Sequence, residues 1–426
     1  MATDRLLRRA RQDGEWSPDR HRMISADEVV EMLPALARRK PSGAYLFYDC
    51  QTDDVRLVLT VLGEAERFGA VLANRCEVTG LLERDGHASG VVFTDRVGGG
   101  QFEIRADNVV NATGVWADRI RGEELRSEAE VPHIRPSRGT HITLSRERLP
   151  INVGAIVPAG NGRSIFALPW LGRTLVGTTD NDYEGPLDHV APDPNDVEYL
   201  LEACNAFFDD SLTSADVTGA YAGVRPLIST GDPKKSVDIS RKAELYETSS
   251  GLVTITGGKL TTWRRMAKLA VDRIVEREGR EAPCRTHEIP LGQPATPSDL
   301  PEVEGVDEES MEMLAGRYGY AARGVLALAE SEPALARRIV PDLPDLLAEA
   351  PFSVRNEQAA SLGDVLLRRT RLGLLAARPL LSAEADGPAR AVAEAMAPEL
   401  GWDAARVDAE LERWLEVAAA EGIAVP

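Results

Sequence analysis

A loop with two glycines and a lysine is the stretch of the chain most suggestive of ligand chemistry. It reads TGGKLTT over residues 256–262 and follows a short apolar segment. It resembles the phosphate-binding P-loop, whose pattern is GxxxxGK[ST]. That assignment fails twice, because Val253 stands where the first glycine belongs and Leu260 follows the lysine in place of Ser or Thr. The loop therefore argues against a nucleoside triphosphatase.

What the loop does predict is a strand over Leu252–Thr256, a close approach of backbone at Gly257 and Gly258, and a helix that starts near Thr261. Free N–H groups at a helix start favour an anionic or electron-rich ligand atom. An ordinary turn from strand to helix explains the same letters about equally well. Lys259, next to the glycines, moderately favours a ligand site.

A second candidate is the segment NVVNATGVWADRI, Asn108–Ile120. It reads as an apolar strand ending in Ala112-Thr113-Gly114, with small residues leading into a helix. Small side chains let a strand end pass close to a dinucleotide, and the pattern is typical of the second cofactor contact of a flavoprotein. The segment follows an antiparallel meander, which makes the interpretation more specific than the tripeptide alone.

Several cations and one histidine stand at predicted strand ends, in RPSRGTHITL, YAGVRPL and DISRKAEL. Arg225 precedes a proline, so its backbone is extended. Taken singly, Arg225 and Arg241 are more simply explained as surface or salt-bridge residues. His141 opens an alternating strand, which would direct it into a cleft. The six histidines include no pair at metal-ligand spacing, so we expect no metal site.

The elements that must position these residues are readable from local signals. Ser25–Leu36 predicts a helix with a capping box from Ser25 and Glu28, and Asp53–Gly69 predicts a second helix. Val78–Asp95 predicts a hairpin. Asp193 followed by proline predicts the start of a third helix.

Four regions follow from these patterns. We expect an N-terminal segment (1–43), a region of alternating strands and helices (44–290), a Pro-rich linker (291–305) and a C-terminal helical domain (306–426).

Composition restricts the partners and the compartment. A formal net charge of −19 and a pI near 4.9 argue against nucleic acid, which requires a basic surface. The four cysteines lie far apart, which fits a reducing cytosol. No apolar run is long enough to span a membrane, and the N-terminus lacks the apolar core of a signal peptide. The sequence predicts a soluble, cytoplasmic protein.

Seven motifs, in order, resemble the FAD-dependent glycerol-3-phosphate dehydrogenases, the respiratory type that donates to quinone, and the related glycerophosphate oxidases. They are YDCQTDDVRLVL, NATGVWAD, RPSRGTHITL, ALPWLGRTLVGTTD, YAGVRPL, TGGKLTTWRRMA and DVLLRRTRLGL. The resemblance runs from about Ser17 to about Val417. It implies an α/β FAD-binding fold of the glutathione-reductase and amino-acid-oxidase type, with an antiparallel substrate sheet and a C-terminal helical domain.

The resemblance also implies an activity. Glycerol 3-phosphate would be oxidised to dihydroxyacetone phosphate by hydride transfer to FAD, with electrons passed to a quinone, as part of glycerol catabolism. Quinone use would require peripheral attachment to the inner face of the cell membrane. A homodimer and a monomer both stay open.

Carried over by position, the resemblance gives each candidate residue a role. His141, Arg225 and Lys259 become catalytic, and Arg225, Arg241 and Lys259 bind the substrate phosphate. The cofactor-binding positions are Ala112, Thr113, Gly114, Gly257, Gly258 and Thr261. Arginine forks and a lysine are the donors that a phosphate dianion needs, and alcohol oxidation needs a base near the carbinol proton.

One family feature is absent from the sequence. The GxGxxG turn that binds the FAD pyrophosphate does not occur: Gly98-Gly99-Gly100 has Glu103 at the last glycine position, and Gly160-Asn161-Gly162 has Ile165. We therefore expect an N-terminally truncated family member that lacks the first βαβ unit. The isolated polypeptide is predicted to bind FAD poorly, and its activity alone is in question.

Two other hypotheses remain open at this point. One is a different amino-acid-oxidase-like flavoprotein acting on an amine, in which the cluster of Arg225, Arg241 and Lys259 would have no purpose. The other is a non-catalytic remnant without bound FAD.

Overall fold

The computed structural model describes residues 21–124, 133–160, 162–229, 242–382 and 387–425. Its first unit is a hairpin in which β1 (Arg22–Ser25) pairs antiparallel with β2 (Gly43–Leu46). Between these strands lie helix α1 (Ala26–Met32) and a 3₁₀ turn (Pro34–Arg39).

The predicted capping box on α1 is confirmed. The backbone N–H of Glu28 donates to the Ser25 hydroxyl, and the N–H of Ser25 donates to the Glu28 carboxylate at 2.8 Å. The α-helix ends at Met32 rather than at Leu36, because Pro34 has no N–H to continue the helical hydrogen bonds.

The next elements also follow their sequence signals. Helix α2 spans Asp54–Arg67 and is capped by Asp53, whose side chain accepts from the N–H groups of Val55 and Arg56. A meander of β3 (Cys76–Arg84), β4 (His87–Asp95) and β5 (Gln101–Arg105) leads to β6 (Val110–Asn111) and helix α3 (Ala117–Glu124).

A six-stranded antiparallel sheet forms the largest β unit of the described chain. Its central strand is β7, with β12 along one edge and β10 and β11 sharing the other, followed outward by β9 and β8. The strands are β7 (His133–Ser145), β8 (Ala155–Pro158), β9 (Ser164–Trp170), β10 (Arg173–Gly177), β11 (Asn181–Asp182) and β12 (Val217–Ser229). Helix α4 (Pro194–Phe208) covers one face.

A small second sheet carries the loop with the two glycines. Strand β14 (Val253–Gly257) pairs antiparallel with β13 (Ala243–Glu247) and parallel with β6. After the loop, helix α5 covers Trp263–Arg277.

The C-terminal helical region, residues 308–421, has its own large apolar core. Its helices are α6 (Glu308–Tyr318), α7 (Ala322–Ser331), α8 (Glu349–Glu357), α9 (Leu362–Arg368), α10 (Leu372–Leu375), α11 (Ala377–Leu380), α12 (Pro388–Leu400) and α13 (Ala404–Glu421). Trp170 and Leu175 of the six-stranded sheet are buried in the same core. In the ranges that the structure describes, no helix has the length and hydropathy needed to span a bilayer.

Ion pairs fix helix α2 and the segment after it to the C-terminal helical region. The guanidinium of Arg56 donates to both carboxylate oxygens of Glu357, at 3.1 and 2.7 Å. Arg75 lies 2.6 Å from the carboxylate of Asp364. Because α2 begins at the edge of the cleft described next, these contacts join the C-terminal helical region to the site.

Candidate active site

The alternation of side chains along β7 decides which residues face the site. Ile142 is buried against α4, on one side of the sheet. His141 and Ser137 therefore point to the opposite side, because successive side chains of a strand alternate. On β12, Tyr221 lies directly across from His141, and Arg225 across from Ser137. His141 and Arg225 thus share one face of the sheet.

Glycines clear the space that these two side chains occupy. A Cβ at Gly177, across from His141 on β10, would lie 2.2 Å from the Cδ2 atom of the histidine. A Cβ at Gly139 would lie 2.5 Å from a guanidinium nitrogen of Arg225. Gly223, across from Gly139, faces open space. The glycines let the histidine and the arginine lie flat over the sheet, where they line a cleft of 370 Å³.

His141 stacks on Tyr221, and one of its ring nitrogens has no hydrogen-bond partner. Its ring is parallel to that of Tyr221, at a centroid distance of 5.0 Å and an angle of 8°. Its Nδ1 atom is buried without a hydrogen-bond partner. Burial, and secondarily the charge of Arg225, lowers the pKa of His141 to about 4, while Asp54 opposes the shift. At neutral pH the imidazole is uncharged and able to accept a proton.

The guanidinium group of Arg225 lies next to Gly139, in the same cleft as His141. Its Nη2 donates to the hydroxyl of Thr178 at 3.2 Å and to the carbonyl of Thr179 at 3.3 Å. Its Nη1 lies 3.5 Å from the carboxylate of Asp180. A guanidinium fork fixed in this way can bind an anion in a defined orientation.

The two predicted cofactor segments meet at one end of the small sheet. Strands β6 and β14 are parallel, with Val110 beside Val253, so their carboxyl ends lie side by side. The hydroxyl of Thr256 donates to the carbonyl of Gly114 at 3.3 Å. The structure therefore brings Ala112, Thr113 and Gly114 next to the glycine loop.

The glycines in these segments adopt a conformation that other residues rarely take. Gly114, Gly257 and Gly258 have φ values of 60°, 72° and 75°. Around Gly114 there is open space for a ligand, since a Cβ there would have no neighbour within 4 Å. This open, glycine-rich end of a parallel strand pair fits the close approach of a dinucleotide.

Lys259 and Thr261 are exposed at the start of the 3₁₀ turn that precedes α5. The N–H of Lys259 donates to the Thr262 hydroxyl at 3.2 Å. Its ammonium group makes no hydrogen bond or ion pair within the described ranges. The loop packs against the strand of Arg225, because a Cβ at Gly257 would lie 2.5 Å from the side chain of Ile228. Arg241 lies outside the described residues.

Sequence interpretation missed several residues that shape the site. Tyr221, Gly139 and Gly177 matter through the cross-strand register, which links positions far apart in the chain. Arg371, from the C-terminal helical region, also lines the cleft. Alternation along RPSRGTHITL could have suggested Gly139 as a neighbour of His141 on the same face, but no local signal indicates Arg371.

Comparison with known proteins places this geometry in a family. The model for FAD dependent oxidoreductases matches residues 2–273. The model for the C-terminal domain of alpha-glycerophosphate oxidase matches residues 253–407. The chain belongs to the FAD-dependent glycerol-3-phosphate dehydrogenase family.

Individual members of the family agree with this. Glycerol-3-phosphate dehydrogenase 2 of Mycobacterium tuberculosis (strain H37Rv) is 34% identical over 419 residues, which covers 96% of this chain and 70% of the relative. Aerobic glycerol-3-phosphate dehydrogenase of Bacillus subtilis (strain 168) is 32% identical over 376 residues, covering 84% and 67%.

A solved structure supports the fold class as well. The glycerol-3-phosphate dehydrogenase from Bacillus halodurans, complexed with FAD, superposes with a TM-score of 0.75 at 28% identity, covering 94% of this chain and 79% of that one. The family assignment and the FAD-binding fold with a C-terminal helical domain, both predicted from the sequence, are confirmed.

Proposed function

We propose that the protein oxidises sn-glycerol 3-phosphate to dihydroxyacetone phosphate, with FAD as the electron acceptor. The observation that carries the proposal is that His141 and Arg225 line one cleft, over Gly139 and Gly177. The imidazole of His141 is neutral, and its Nδ1 atom has no hydrogen-bond partner within the protein. Such a pair provides a proton acceptor and an anion ligand on one surface, which is what a phosphorylated alcohol requires. The names of the relatives support the same substrate.

Each residue has a task in this proposal. Arg225, Arg241 and Lys259 bind the phosphate dianion through charge-assisted hydrogen bonds. His141 accepts the proton of the secondary hydroxyl, for which its uncharged state is the right one. Ala112, Thr113, Gly114, Gly257, Gly258 and Thr261 would hold FAD. When bound, FAD accepts the hydride from the carbinol carbon.

A turnover assay tests the proposal directly. The purified protein is supplied with excess FAD and a dye acceptor, and glycerol 3-phosphate is compared with glycine and sarcosine. We expect turnover of glycerol 3-phosphate alone, and its loss in His141→Gln. Preferred oxidation of an amine would instead support the other class of flavoprotein. Turnover of none of these compounds, with no retained flavin absorption, would support the non-catalytic remnant. Weak FAD binding by the isolated polypeptide stays a prediction.

We further propose a quinone acceptor reached at a membrane surface, through a hairpin patch made of Arg38–Lys40, Tyr45 and Phe47. Tyr45 and Phe47 are 70% and 48% exposed. They line an apolar cavity of 630 Å³ together with Arg39. In a chain of net charge −19, exposed aromatic side chains next to three basic residues favour an anionic lipid surface as the occupant.

Vesicle binding tests the hairpin patch. We expect co-sedimentation with vesicles of phosphatidylcholine and phosphatidylglycerol, weakening with salt, and little binding to phosphatidylcholine alone. The Tyr45→Ser/Phe47→Ser protein should lose binding, whereas Val71→Ser/Val97→Ser, which changes exposed residues elsewhere, should retain it. A homodimer would cover the same apolar surface, so a dimeric mass in light scattering that reverts to monomer in Tyr45→Ser/Phe47→Ser would assign the patch to a second copy.

A further inference from the structure

Arg371 reaches from the C-terminal helical region into the cleft of His141. It lies between α9 and α10 with a φ of 69°, and its side chain is only 8% exposed. Its Nη2 lies 2.6 Å from Asp54 and 3.1 Å from Asp53. Its Nη1 donates to the carbonyl of Leu367 at 3.2 Å. Its Nε is buried without a hydrogen-bond partner. A cation held in this way, in a conformation unfavourable for its residue type, is strongly restrained.

The carboxylates that Arg371 binds define the first turn of α2. Asp53 is the N-cap, accepting from the backbone N–H groups of Val55 and Arg56 at 3.1 and 3.3 Å. Asp54 and Val55 line the same cleft as His141. Arg371 therefore fixes the edge of the cleft that faces the histidine.

A row of rings continues from Arg371 to His141. The guanidinium carbon lies 5.8 Å from the ring centroid of Trp170. The rings of Trp170 and Tyr221 are 6.4 Å apart, and Tyr221 stacks on His141 at 5.0 Å. Because Tyr221 is the only described ring in contact with His141, the plane of the imidazole depends on what holds the tyrosine.

We propose that Arg371 is a positioning residue, through which the C-terminal helical region fixes the orientation and charge environment of His141. The proposal rests on the proposed function only for the catalytic role of His141. The arrangement itself consists of contacts within the protein.

The sign of the expected effect follows from the charges around the imidazole. Those facing the cleft are Arg225 on β12, Asp54 on α2, and Arg368, Arg371 and Glu421 from the C-terminal helical region, with the neutral Tyr221 in the stack. Removing Arg371 takes away a cation and leaves Asp54 without its partner. Both changes favour the protonated imidazole, so the pKa of His141 should rise.

Titration of the histidine side chains by NMR measures this without cofactor or substrate. His141→Gln assigns the signal. In the wild type we expect His141 to stay neutral through pH 5, because burial lowers its pKa to about 4. In Arg371→Met the protonated fraction at a given acidic pH should rise roughly tenfold. Arg371→Lys, which retains the charge, should stay close to the wild type, and Asp54→Asn should shift in the opposite direction.

A matched variant distinguishes the positioning of His141 from a general loosening of the contact between the C-terminal helical region and the segment that contains α2. Arg75→Met removes another ion pair between the same two regions, at Asp364, away from the cleft. We expect it to leave the titration of His141 unchanged. An unchanged His141 titration in Arg371→Met, or an equal shift in Arg75→Met, would overturn the proposal. Should Arg371→Met fail to fold, Arg371→Gln, which also removes the charge, is titrated in its place, and an unchanged His141 titration there overturns the proposal as well.

Turnover adds a second readout that separates the two proposals. If the wild type oxidises glycerol 3-phosphate, Arg371→Met should move the acidic limb of the kcat/KM profile to higher pH. If the wild type does not, the proposed function fails, while the NMR titration still decides the role of Arg371.

Discussion

Two groups of buried polar side chains in this chain differ in how completely their polar atoms are paired. In the C-terminal helical region, Arg317 lies 2.6 Å from Asp345 and 2.5 Å from Glu349, with side-chain exposures of 4%, 2% and 0%. Both oxygens of Glu349 have further partners, in the Tyr318 hydroxyl at 2.9 Å and the Leu346 N–H at 2.8 Å. In the cleft, Nδ1 of His141 and Nε of Arg371 have none.

The difference separates a structural cluster from a functional one. Buried polar groups are normally hydrogen-bonded, and an unpaired one costs about 1–3 kcal/mol. The Arg317 cluster avoids that cost, so its charges serve the packing of the helices. The cleft bears part of that cost, and in the proposed function a bound substrate would provide the missing partner of His141. Four measurements test this contrast, taken from the largest expected effect to the smallest.

Arg317→Met should give the largest loss of stability. It leaves Asp345 and Glu349 buried without a cation, and breaking a buried ion pair in this way costs about 3–5 kcal/mol. The measurement is the free energy of unfolding in urea. Arg273→Met, which breaks ion pairs that are more exposed to solvent, should cost much less. A small effect for Arg317→Met would remove the structural side of the contrast.

The pH dependence of stability should report the burial of His141. Its pKa is about 4 in the folded protein against about 6.5 unfolded, so the unfolded state binds the proton first as the pH falls. The contribution is full above about pH 6.5 and lost towards pH 4, by on the order of 2–3 kcal/mol. His141→Gln should show a correspondingly flatter decline in urea unfolding over that window. Parallel wild-type and variant curves would contradict a buried, neutral His141.

Arg225→Met should weaken the binding of glycerol 3-phosphate. Loss of a charged donor to phosphate costs about 1.5–3 kcal/mol, which predicts a rise of KM for glycerol 3-phosphate of roughly ten- to hundredfold. Arg148→Met is the control, since its side chain is 31% exposed against 26% for Arg225 and it pairs with Asp210 away from the cleft. Equal KM values for the two variants would argue against Arg225 as a phosphate ligand.

Lys259→Ala should leave stability almost unchanged, within about 0.5 kcal/mol, because the ammonium group has no partner in the described structure. Its kinetic effect should be heavy, a loss of about tenfold or more in kcat/KM for glycerol 3-phosphate. Lys268→Ala changes another exposed lysine, on α5, and should leave the kinetics as in the wild type. Unchanged kinetics in Lys259→Ala would withdraw the assigned role.

Much of the local structure was predictable from residues close together in the sequence. The capping box at Ser25, the N-cap at Asp53 and the hairpin around Asp85-Gly86 all form as expected. These signals act over a few residues, where hydrogen bonding and backbone geometry are set locally. Helix α1 ends at Met32, earlier than predicted, because Pro34 cannot continue the helical hydrogen bonds.

Contacts between segments that are distant in the chain were harder to predict from the sequence. Tyr221 and His141 stack because β12 and β7 pair in one particular register, and a shift by one residue would turn every side chain to the other face. Arg371 reaches Asp54 because a helical region far along the chain packs against α2. Neither partner leaves a periodic or compositional signal.

The sequence by itself determined the family, the order of the elements and most of the candidate residues, because its motifs and turn signals are local and specific. Tertiary structure decided which side of β7 became the cleft, since burial of Ile142 against α4 turns His141 the other way. It also decided which buried polar groups are paired within the protein. That distinction depends on distances between residues remote in the chain, and only packing sets those distances.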